Sequence, residues 1–216
     1  PAKLVALKPT NLSFEAAAAV PWGTTALQGL RDVGEVKSGE RVLVYGASGA
    51  VGTWAVQLAK SLGAHVTAVC STRNVELVRS LGADHVIDYT QSDFAEGGAR
   101  YDVLIDMVGN RSLSDCKRAL NGGGRYVSCS GGGGDWLGPI PRIVGGLLVF
   151  LFGGKHFRIL MQDLNATDLD VMRELIEAGK IRPVVERIWS LPEASAALRH
   201  VGTGRSRGVN VVRVSR

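Results

Sequence analysis

The chain of 216 residues is poor in aromatic side chains and in cysteine. Phe, Trp and Tyr make up 6% of it, and its 3 cysteines, Cys70, Cys116 and Cys129, cannot all pair or form a CxxC motif. This argues against a disulfide framework and against a structural zinc site. No uninterrupted apolar run approaches the roughly 20 residues of a membrane span. We therefore expect no metal, no membrane partner and, because no signal peptide opens the chain, a reduced cytoplasmic setting.

The net charge of +5 also lacks the pattern of a nucleic-acid-binding protein. Basic side chains are scattered singly and become denser only in the tail, at Arg205, Arg207, Arg213 and Arg216. No basic run is interleaved with aromatic residues, so the pattern predicts an ordinary solvated surface and no nucleic-acid partner. A polyanionic partner and a phosphorylated small molecule are the alternatives.

Apolar, β-branched runs alternate with helical patterns along most of the chain. The runs predict strands at residues 41–45, 65–70, 86–89, 101–108, 125–130 and 157–161. Helices are predicted at residues 49–62, 74–81 (opened by an Asn74 cap), 112–120 and 167–178, and a turn at residues 121–124. Strands that are apolar on both faces and separated by helices predict an α/β fold with a doubly wound parallel sheet, the Rossmann fold.

The two ends depart from this alternation. Residues 2–7 predict a strand, and Ser13 and Glu15 predict the cap of a long alanine-rich helix. The tail predicts a strand, a helix and a strand at residues 184–189, 193–201 and 208–214. Two interpretations are open: the ends extend the main sheet, or they are remnants of a second domain.

The sequence GASGAVG at residues 46–52 directly follows the first strand of the predicted sheet and opens a helix. A phosphate needs backbone N–H groups at close range and a helix N-terminus, and glycine allows both the tight turn and the close approach. The spacing is GxxGxxG instead of the more common GxGxxG. The strand–turn–helix context favours a dinucleotide site, and a plain βα turn is the alternative.

The end of the second strand indicates which dinucleotide would bind. NAD sites place Asp or Glu roughly 20 residues after the first glycine, but here the strand is followed by Ser71, Thr72 and Arg73, and the first acid is Glu76. Hydroxyl and guanidinium donors suit a 2′-phosphate, so NADPH is predicted. In the alternative interpretation, Ser71 and Thr72 cap the next helix and Arg73 is only an exposed charge.

Other nucleotide-dependent chemistries lack their residues. No Tyr is followed by Lys four positions later, and no Gly-Lys-Ser/Thr follows the glycine turn. The four histidines, His65, His85, His156 and His200, are predicted to be structural or solvated, and no base partner is identifiable for a cysteine nucleophile. We therefore assign no catalytic residue.

Three segments together resemble the medium-chain dehydrogenase/reductase superfamily: LSFEAAAAVPWGTTALQGL, GERVLVYGASGAVGTWAVQLAKSLGAHVTAVCS and LGADHVIDY. Within it, the chain is similar to the zinc-independent NADPH:quinone oxidoreductase (zeta-crystallin-like) branch, and residues 179–214 resemble that family's C-terminal segment. The resemblance implies a fragment that lacks most of a GroES-like N-terminal domain. Residues 1–12 would be a remnant of that catalytic domain, residues 13–180 the NAD(P)-binding Rossmann domain, and residues 181–216 the return segment of the catalytic domain.

The resemblance also implies a function. The protein would use NADPH to reduce a small hydrophobic quinone or α,β-unsaturated carbonyl, and it would form a homodimer through the edge of the sixth strand. The fragment alone would be inactive, and the alternative is a dinucleotide-binding module without catalysis. The apolar segment 136–152 is a lid or substrate wall, a subunit contact or a core helix.

Site residues follow from the resemblance by position. The pyrophosphate would be held at Gly46, Ser48, Gly49, Ala50 and Val51. The 2′-phosphate would be held by Ser71 and Arg73, and the adenosine half would lie near Tyr89, Gly109 and Asn110. The nicotinamide side would be bordered by Thr25, Cys129, Ser130, Leu160, Met161 and Gln162. For Thr25, the alternative is a helix residue that only packs on its neighbour.

Overall fold

Residues 4–129 and 140–214 are described by the computed structural model, and most of their strands belong to one parallel sheet. The spatial order in this sheet is β3-β2-β1-β4-β5-β6. Its strands are β1 (Arg41–Tyr45), β2 (His65–Cys70), β3 (His85–Asp88), β4 (Tyr101–Asp106), β5 (Leu120–Ser128) and β6 (His156–Ile159). The chain runs outward from β1 to β3 and then returns to β4, which is the strand order of a doubly wound fold. The predicted fold class is confirmed.

The helices cover both faces of the sheet. They are α1 (Phe14–Ala17), α2 (Val20–Gln28) continuing into a π-helical turn (Gly29–Val33), α3 (Gly52–Ser61), α4 (Val75–Ser80), α5 (Leu113–Arg118), α6 (Ile140–Phe150), α7 (Ala166–Glu177) and α8 (Ala194–Gly202). Alternate residues of β1 show the two layers: Val42 and Val44 pack with Trp54 of α3, whereas Leu43 packs with Phe150 in a second apolar cluster. Two-sided burial explains why the strands are apolar at successive positions.

The front of the chain differs from the prediction in two ways. Ser13 caps a helix, its Oγ accepting from the Ala16 N–H at 3.2 Å, but α1 has only 4 residues and is not the long helix expected. Pro21 at the start of α2 explains the break. Proline has no backbone N–H and disrupts the interior of a helix, but it is favoured in the first turn. The predicted strand at residues 2–7 is also wrong for its described part, 4–7, since no described strand lies beside it to pair with its backbone.

The predicted turn at residues 121–124 is wrong as well. β5 begins at Leu120 and runs through these residues, and its pairing with β4 shifts register between Tyr101 and Val103. Gly123 has φ +75° and donates its N–H to the carbonyl of Gly154 at 2.9 Å. The positive φ of Gly123 therefore allows β5 to begin irregularly within residues 121–124, where a turn was expected.

The tail forms a small sheet of its own. β7 (Val185–Ser190) and β8 (Val209–Arg213) pair in parallel, joined by α8, and neither extends the main sheet. This sheet meets the glycine turn at one point, where the N–H of Gly208 donates to the carbonyl of Ser48 at 2.8 Å. The first interpretation of the tail is therefore wrong, and the domain boundaries at residues 12 and 180 remain predictions.

The apolar segment after β5 is a helix over its described part. In α6, Phe150 is buried against Tyr126 and Phe157, with ring centroids 5.8 Å from each, whereas Val144, Leu147 and Leu148 are exposed. One face of α6 thus packs in the core. Its outer apolar face is exposed, so both a lid or substrate wall and a subunit contact remain possible interpretations of this face. No helix among the described residues has the length and apolar character needed to cross a membrane.

Replacement of Leu104 by alanine tests the two-sided core. Leu104 is 0% exposed at the centre of β4, so Leu104→Ala is expected to lower the free energy of unfolding by about 2–5 kcal/mol, measured by urea denaturation. Leu198 on α8 is 74% exposed and provides the matched control, with a change below about 0.5 kcal/mol. Equal effects of the two substitutions would contradict the placement of β4 at the core.

Candidate functional site

A cavity of about 840 Å³ lies at the carboxyl ends of β1, β2 and β4. This is the edge at which open parallel sheets bind ligands, and β1 and β4 flank the point where the strand order reverses. Its lining residues are Tyr45, Gly46, Ser48, Gly49, Ala50, Val51, Gly52, Val69, Cys70, Ser71, Thr72, Arg73, Asn74, Tyr89, Met107, Val108, Asn110, Gly204, Arg205 and Ser206.

The glycine turn between β1 and α3 forms the floor of the cavity. Gly46 has φ +85°, and its N–H and that of Ala47 both donate to the carbonyl of Val69, at 3.3 and 3.0 Å. A Cβ on Gly52 would clash with the carbonyl oxygen of Gly46, so glycine is required for α3 to start this close to β1. A Cβ on Gly49 would meet only that oxygen, at 3.5 Å, and would otherwise project into open space.

This turn fits the phosphates of a dinucleotide. Gly49 leaves room where a side chain would stand, and the 10-residue helix α3 begins directly behind the turn. Among the described residues, the N–H groups of Ser48 and Val51 have no hydrogen-bond acceptor. Free N–H groups beside a helix N-terminus favour an anion, and the missing side chain permits its close approach.

The charge of the cavity also favours an anion. Of the residues that line it, Arg73 and Arg205 are basic and none is Asp or Glu. A guanidinium nitrogen of Arg73 donates to the carbonyl of Arg205, which brings the tail loop and the end of β2 together. The hydroxyl of Thr72 instead donates to Asp88 at 2.6 Å, so this hydroxyl faces β3 and already has a partner.

Asn74 does not cap α4 as predicted. It ends a 3₁₀ turn (Thr72–Asn74) with φ −108° and ψ 0°, outside the extended region that a side-chain cap needs, and it makes no capping hydrogen bond. Its side-chain nitrogen instead donates to Oγ of Ser48 at 2.9 Å and to Oγ of Ser71 at 3.2 Å. Ser48 and Ser71, two of the predicted phosphate ligands, therefore accept from the same side-chain amide.

A buried carboxylate shapes the loop after β4. Asp106 accepts from the N–H groups of Val108 and Gly109 at 2.9 and 2.8 Å, and from Tyr126 and Arg142 at 2.7 and 2.9 Å. Burial raises the pKa of Tyr126, so its hydroxyl stays protonated and donates to the carboxylate. The loop continues to Asn110, whose side-chain oxygen accepts from Tyr45 at 2.9 Å on the cavity wall.

The structure brings most of the predicted adenosine and phosphate residues to this one cavity: Gly46, Ser48, Gly49, Ala50, Val51, Ser71, Arg73, Tyr89 and Asn110. Gly109 lies in the supporting loop, one residue before Asn110, and does not line the cavity. The sequence interpretation missed Asn74 as a cavity residue and the loop Gly204, Arg205 and Ser206. The basic density of the tail was a signal for Arg205, whereas nothing in the local pattern marked Asn74.

The predicted nicotinamide residues form a separate group outside the described cavity. They lie on α2 and after β5 and β6: Thr25, Cys129, Leu160, Met161 and Gln162. A Cβ on Gly29 would lie 3.4 Å from Sγ of Cys129 and 3.7 Å from Leu160, and Gln162 donates to Oγ1 of Thr24 at 3.3 Å. These contacts bring Cys129, Leu160 and Gln162 close to α2 and its π-helical turn. Met161, by contrast, is 84% exposed. Ser130 lies outside the described residues, and the nicotinamide role of the group remains a prediction.

No described histidine lines the cavity. His65, His85 and His156 begin β2, β3 and β6 and therefore lie at the amino edge of the sheet, opposite the cavity. His200 faces Glu186, with Nε2 and Oε2 3.0 Å apart.

The thiols are likewise unsuited to nucleophilic catalysis. Burial raises the pKa of Cys70 to about 11 and those of Cys116 and Cys129 to about 12. The thiolate, which is the reactive form, is therefore scarce near neutral pH.

Comparison with known proteins identifies the family. A family model described as zinc-binding dehydrogenase matches residues 81–212. The chain therefore belongs to this family, and its resemblance to the quinone oxidoreductase branch of the medium-chain dehydrogenases/reductases is confirmed. Within residues 4–129 and 140–214, no three His, Cys, Asp or Glu side chains are grouped as metal ligands. The described residues thus do not fit the zinc that the family description implies.

Three similar proteins show the range of the family. The mouse mitochondrial NAD(P)H oxidoreductase RTN4IP1 is 37% identical over 97% of this chain and 58% of its own length. The tomato (Solanum lycopersicum) 2-methylene-furan-3-one reductase is 34% identical over 97% of this chain and 50% of its own. The structure of the Coxiella burnetii quinone oxidoreductase superposes with a TM-score of 0.84 at 32% identity, covering 96% of this chain and 63% of that one. The chain thus spans about half to two thirds of the length of these proteins.

Two glycine substitutions separate folding from binding in the turn. Gly52→Ala is expected to lower the melting temperature by several degrees, because its Cβ clashes with the Gly46 carbonyl. Gly49→Ala is expected to leave the melting temperature within about 1 °C of wild type, yet to weaken nucleotide binding at least about tenfold by filling the phosphate space. Thermal melting and calorimetric titration with NADPH measure the two effects, and tight binding by Gly49→Ala would contradict the proposed phosphate position.

The thiol pKa values predict slow modification of the native protein. At pH 8, Cys70, Cys116 and Cys129 are expected to react with a disulfide reagent at least roughly a hundredfold more slowly than after unfolding in urea, because their thiolate fractions are depressed. The native rate should rise with pH toward 11. Free glutathione serves as the control thiol, and one fast native cysteine at pH 8 would contradict the raised thiol pKa values.

Proposed function

We propose that the chain is the cofactor-binding part of an NADPH-dependent oxidoreductase of the quinone or enone reductase type. One observation carries the proposal: a cavity lined by arginines and by no carboxylate lies over a glycine turn at the switch point of the sheet. The similar proteins are an NAD(P)H oxidoreductase, a furanone reductase and a quinone oxidoreductase, which supports the reaction class.

The pyrophosphate, the 2′-phosphate and the adenosine half of NADPH each have a candidate place in the described cavity. Ser48–Val51 would hold the pyrophosphate through backbone N–H groups, with Gly46 and Gly49 allowing its close approach. Ser71 and Arg73 would hold the 2′-phosphate, since an acid that would repel the dianion is missing from the lining. Tyr89 and Asn110 would border the adenosine half. Arg205 adds a second guanidinium to the same wall.

Hydride transfer is the chemistry that a nicotinamide cofactor supplies when it is bound. The described residues of this chain would bind and orient the cofactor. Thr25, Cys129 and Leu160, beside α2, would border the reacting end and exclude water from it. The substrate would be a small hydrophobic quinone or α,β-unsaturated carbonyl.

A homodimer through β6 belongs to the same proposal. β6 is the last strand of the sheet and leaves one row of backbone N–H and C=O groups free of strand partners among the described residues. Such an edge favours pairing with a second chain. A cytoplasmic location remains a prediction from the reduced cysteines.

A dinucleotide-binding module without catalysis is the second candidate for this chain by itself. The chain covers 58% and 50% of the length of the two curated relatives, so cofactor binding by this chain and catalysis by it are separate questions. NADPH binding combined with turnover of quinone or enone substrates supports the enzyme, and binding without turnover supports the module.

Calorimetric titration with NADPH and NADH tests the cofactor assignment. The wild-type chain is expected to bind NADPH more tightly than NADH, and Arg73→Ala is expected to weaken NADPH by about 1.5–3 kcal/mol, the contribution of a hydrogen bond to a charged group, with little effect on NADH. Arg79 is the matched control, because it is an exposed arginine on α4 that pairs with Glu76 and does not line the cavity. Equal losses for the two nucleotides would remove Arg73 from the 2′-phosphate site.

A further inference from the structure

Asn74 occupies an unusual position between two predicted phosphate-binding segments. It is 3% exposed, and its backbone N–H donates to the carbonyl of Ser71 at 2.9 Å. Its side-chain nitrogen spans from Ser71 on one side to Ser48 of the glycine turn on the other, while its side-chain oxygen has no hydrogen-bond partner among the described residues. A buried amide oxygen without a hydrogen-bond partner lowers the stability of the fold, so its presence here calls for an explanation.

The direction of these hydrogen bonds decides how the two serines can act. A serine hydroxyl has one hydrogen to donate and otherwise rotates freely. Because Asn74 donates to Oγ of Ser48 and of Ser71, it occupies a lone pair on each oxygen. The hydroxyl hydrogens must then point away from the amide, and both serines line the cavity. The arrangement turns both hydroxyls into donors for an acceptor in the cavity.

The surroundings keep the two serines in place. The carbonyl of Ser48 accepts from Gly208 at 2.8 Å, which fixes the turn against the tail sheet. The neighbouring Thr72 hydroxyl is bound to Asp88, so it does not compete for the same position. Charge matters as well, because a neutral amide donates to both serines without adding a negative charge to a cavity whose lining has no carboxylate.

We propose that Asn74 is a positioning residue that orients the Ser48 and Ser71 hydroxyls as hydrogen-bond donors to two separate phosphate groups of one bound dinucleotide. The proposal rests on the proposed function. Ser48 would donate to the pyrophosphate, which NAD⁺ and NADP⁺ share, and Ser71 to the 2′-phosphate, which only NADP⁺ carries. Asn74 thus couples binding of the pyrophosphate with selection for NADP⁺.

The test is a double-mutant cycle in which dissociation constants for NADP⁺ and NAD⁺ are measured by calorimetry. Asn74→Ala is expected to weaken NADP⁺ about tenfold and NAD⁺ about threefold, because NAD⁺ has no 2′-phosphate for Ser71. In the Ser48→Ala/Ser71→Ala background, the same substitution is expected to add less than about a twofold loss, since no hydroxyl is left to orient.

Asn74→Asp gives a near-isosteric second variant. A carboxylate accepts from both serines, reverses the hydroxyl hydrogens and adds charge, so binding of NADP⁺ is expected to be weaker than in Asn74→Ala. Asn121→Ala is the control, because Asn121 also donates from a side-chain amide, to Asp102 at 2.7 Å, but does not line the cavity. Melting temperatures of all variants show whether the fold is kept.

The outcomes distinguish this inference from the function on which it rests. If wild type binds NADP⁺ but Asn74→Ala causes the same loss with and without the serines, Asn74 acts independently and the inference is wrong. Wild-type affinity in Asn74→Asp would also overturn it, since the hydroxyl direction would then not matter. If wild type binds neither nucleotide, the proposed function itself fails.

Discussion

The close approach of two backbone segments at Gly46 and Gly52 is the constraint on which the site depends. With no Cβ on Gly52, α3 begins in contact with the end of β1, and its first turn lies directly behind the cavity. The same compactness places Ser48 within reach of Asn74, in the turn after β2, and of Gly208 in the tail. A larger residue at Gly52 would therefore disturb a helix, a strand end and the tail contact together.

A second constraint, on the other side of β1, is the buried carboxylate of Asp106. Its four hydrogen bonds satisfy the charge, since two come from backbone N–H groups of the following loop and one from the guanidinium of Arg142 on α6. Partnering of this kind is what makes a fully buried charge tolerable. The ion pair links helix α6, whose outer face is apolar and exposed, to the loop that carries Asn110. The Asn110 wall of the cavity therefore depends on packing beyond the cavity.

The sequence predicted what periodicity and local chemistry determine. Six strands, their two-sided burial and the glycine turn follow from alternating apolar runs and from GASGAVG at residues 46–52. The helix break at Pro21 had a local signal, the proline itself, but the alanine-rich pattern predicted one long helix through it. The strand start at Gly123 depends on pairing with β4 and on a bond to Gly154, which are contacts that no local pattern shows. Asn74 was missed for the same reason, because its contact with Ser48 joins residues distant in sequence. Arg205 had a signal in the basic density of the tail, but its contact with Arg73 is likewise long-range.

The charge pattern of the cavity explains why a neutral residue stands at position 74. An aspartate would satisfy the ordinary preference for helix N-caps equally well, but it would place a second negative charge beside any phosphate held by Ser48 and Ser71. An amide keeps both contacts, and its donors fix the direction of both hydroxyls. Arg73 and Arg205 then supply the only full charges in the described lining, both positive. The proposed selectivity for a phosphorylated ligand would thus depend on where donors point as well as on where charges lie.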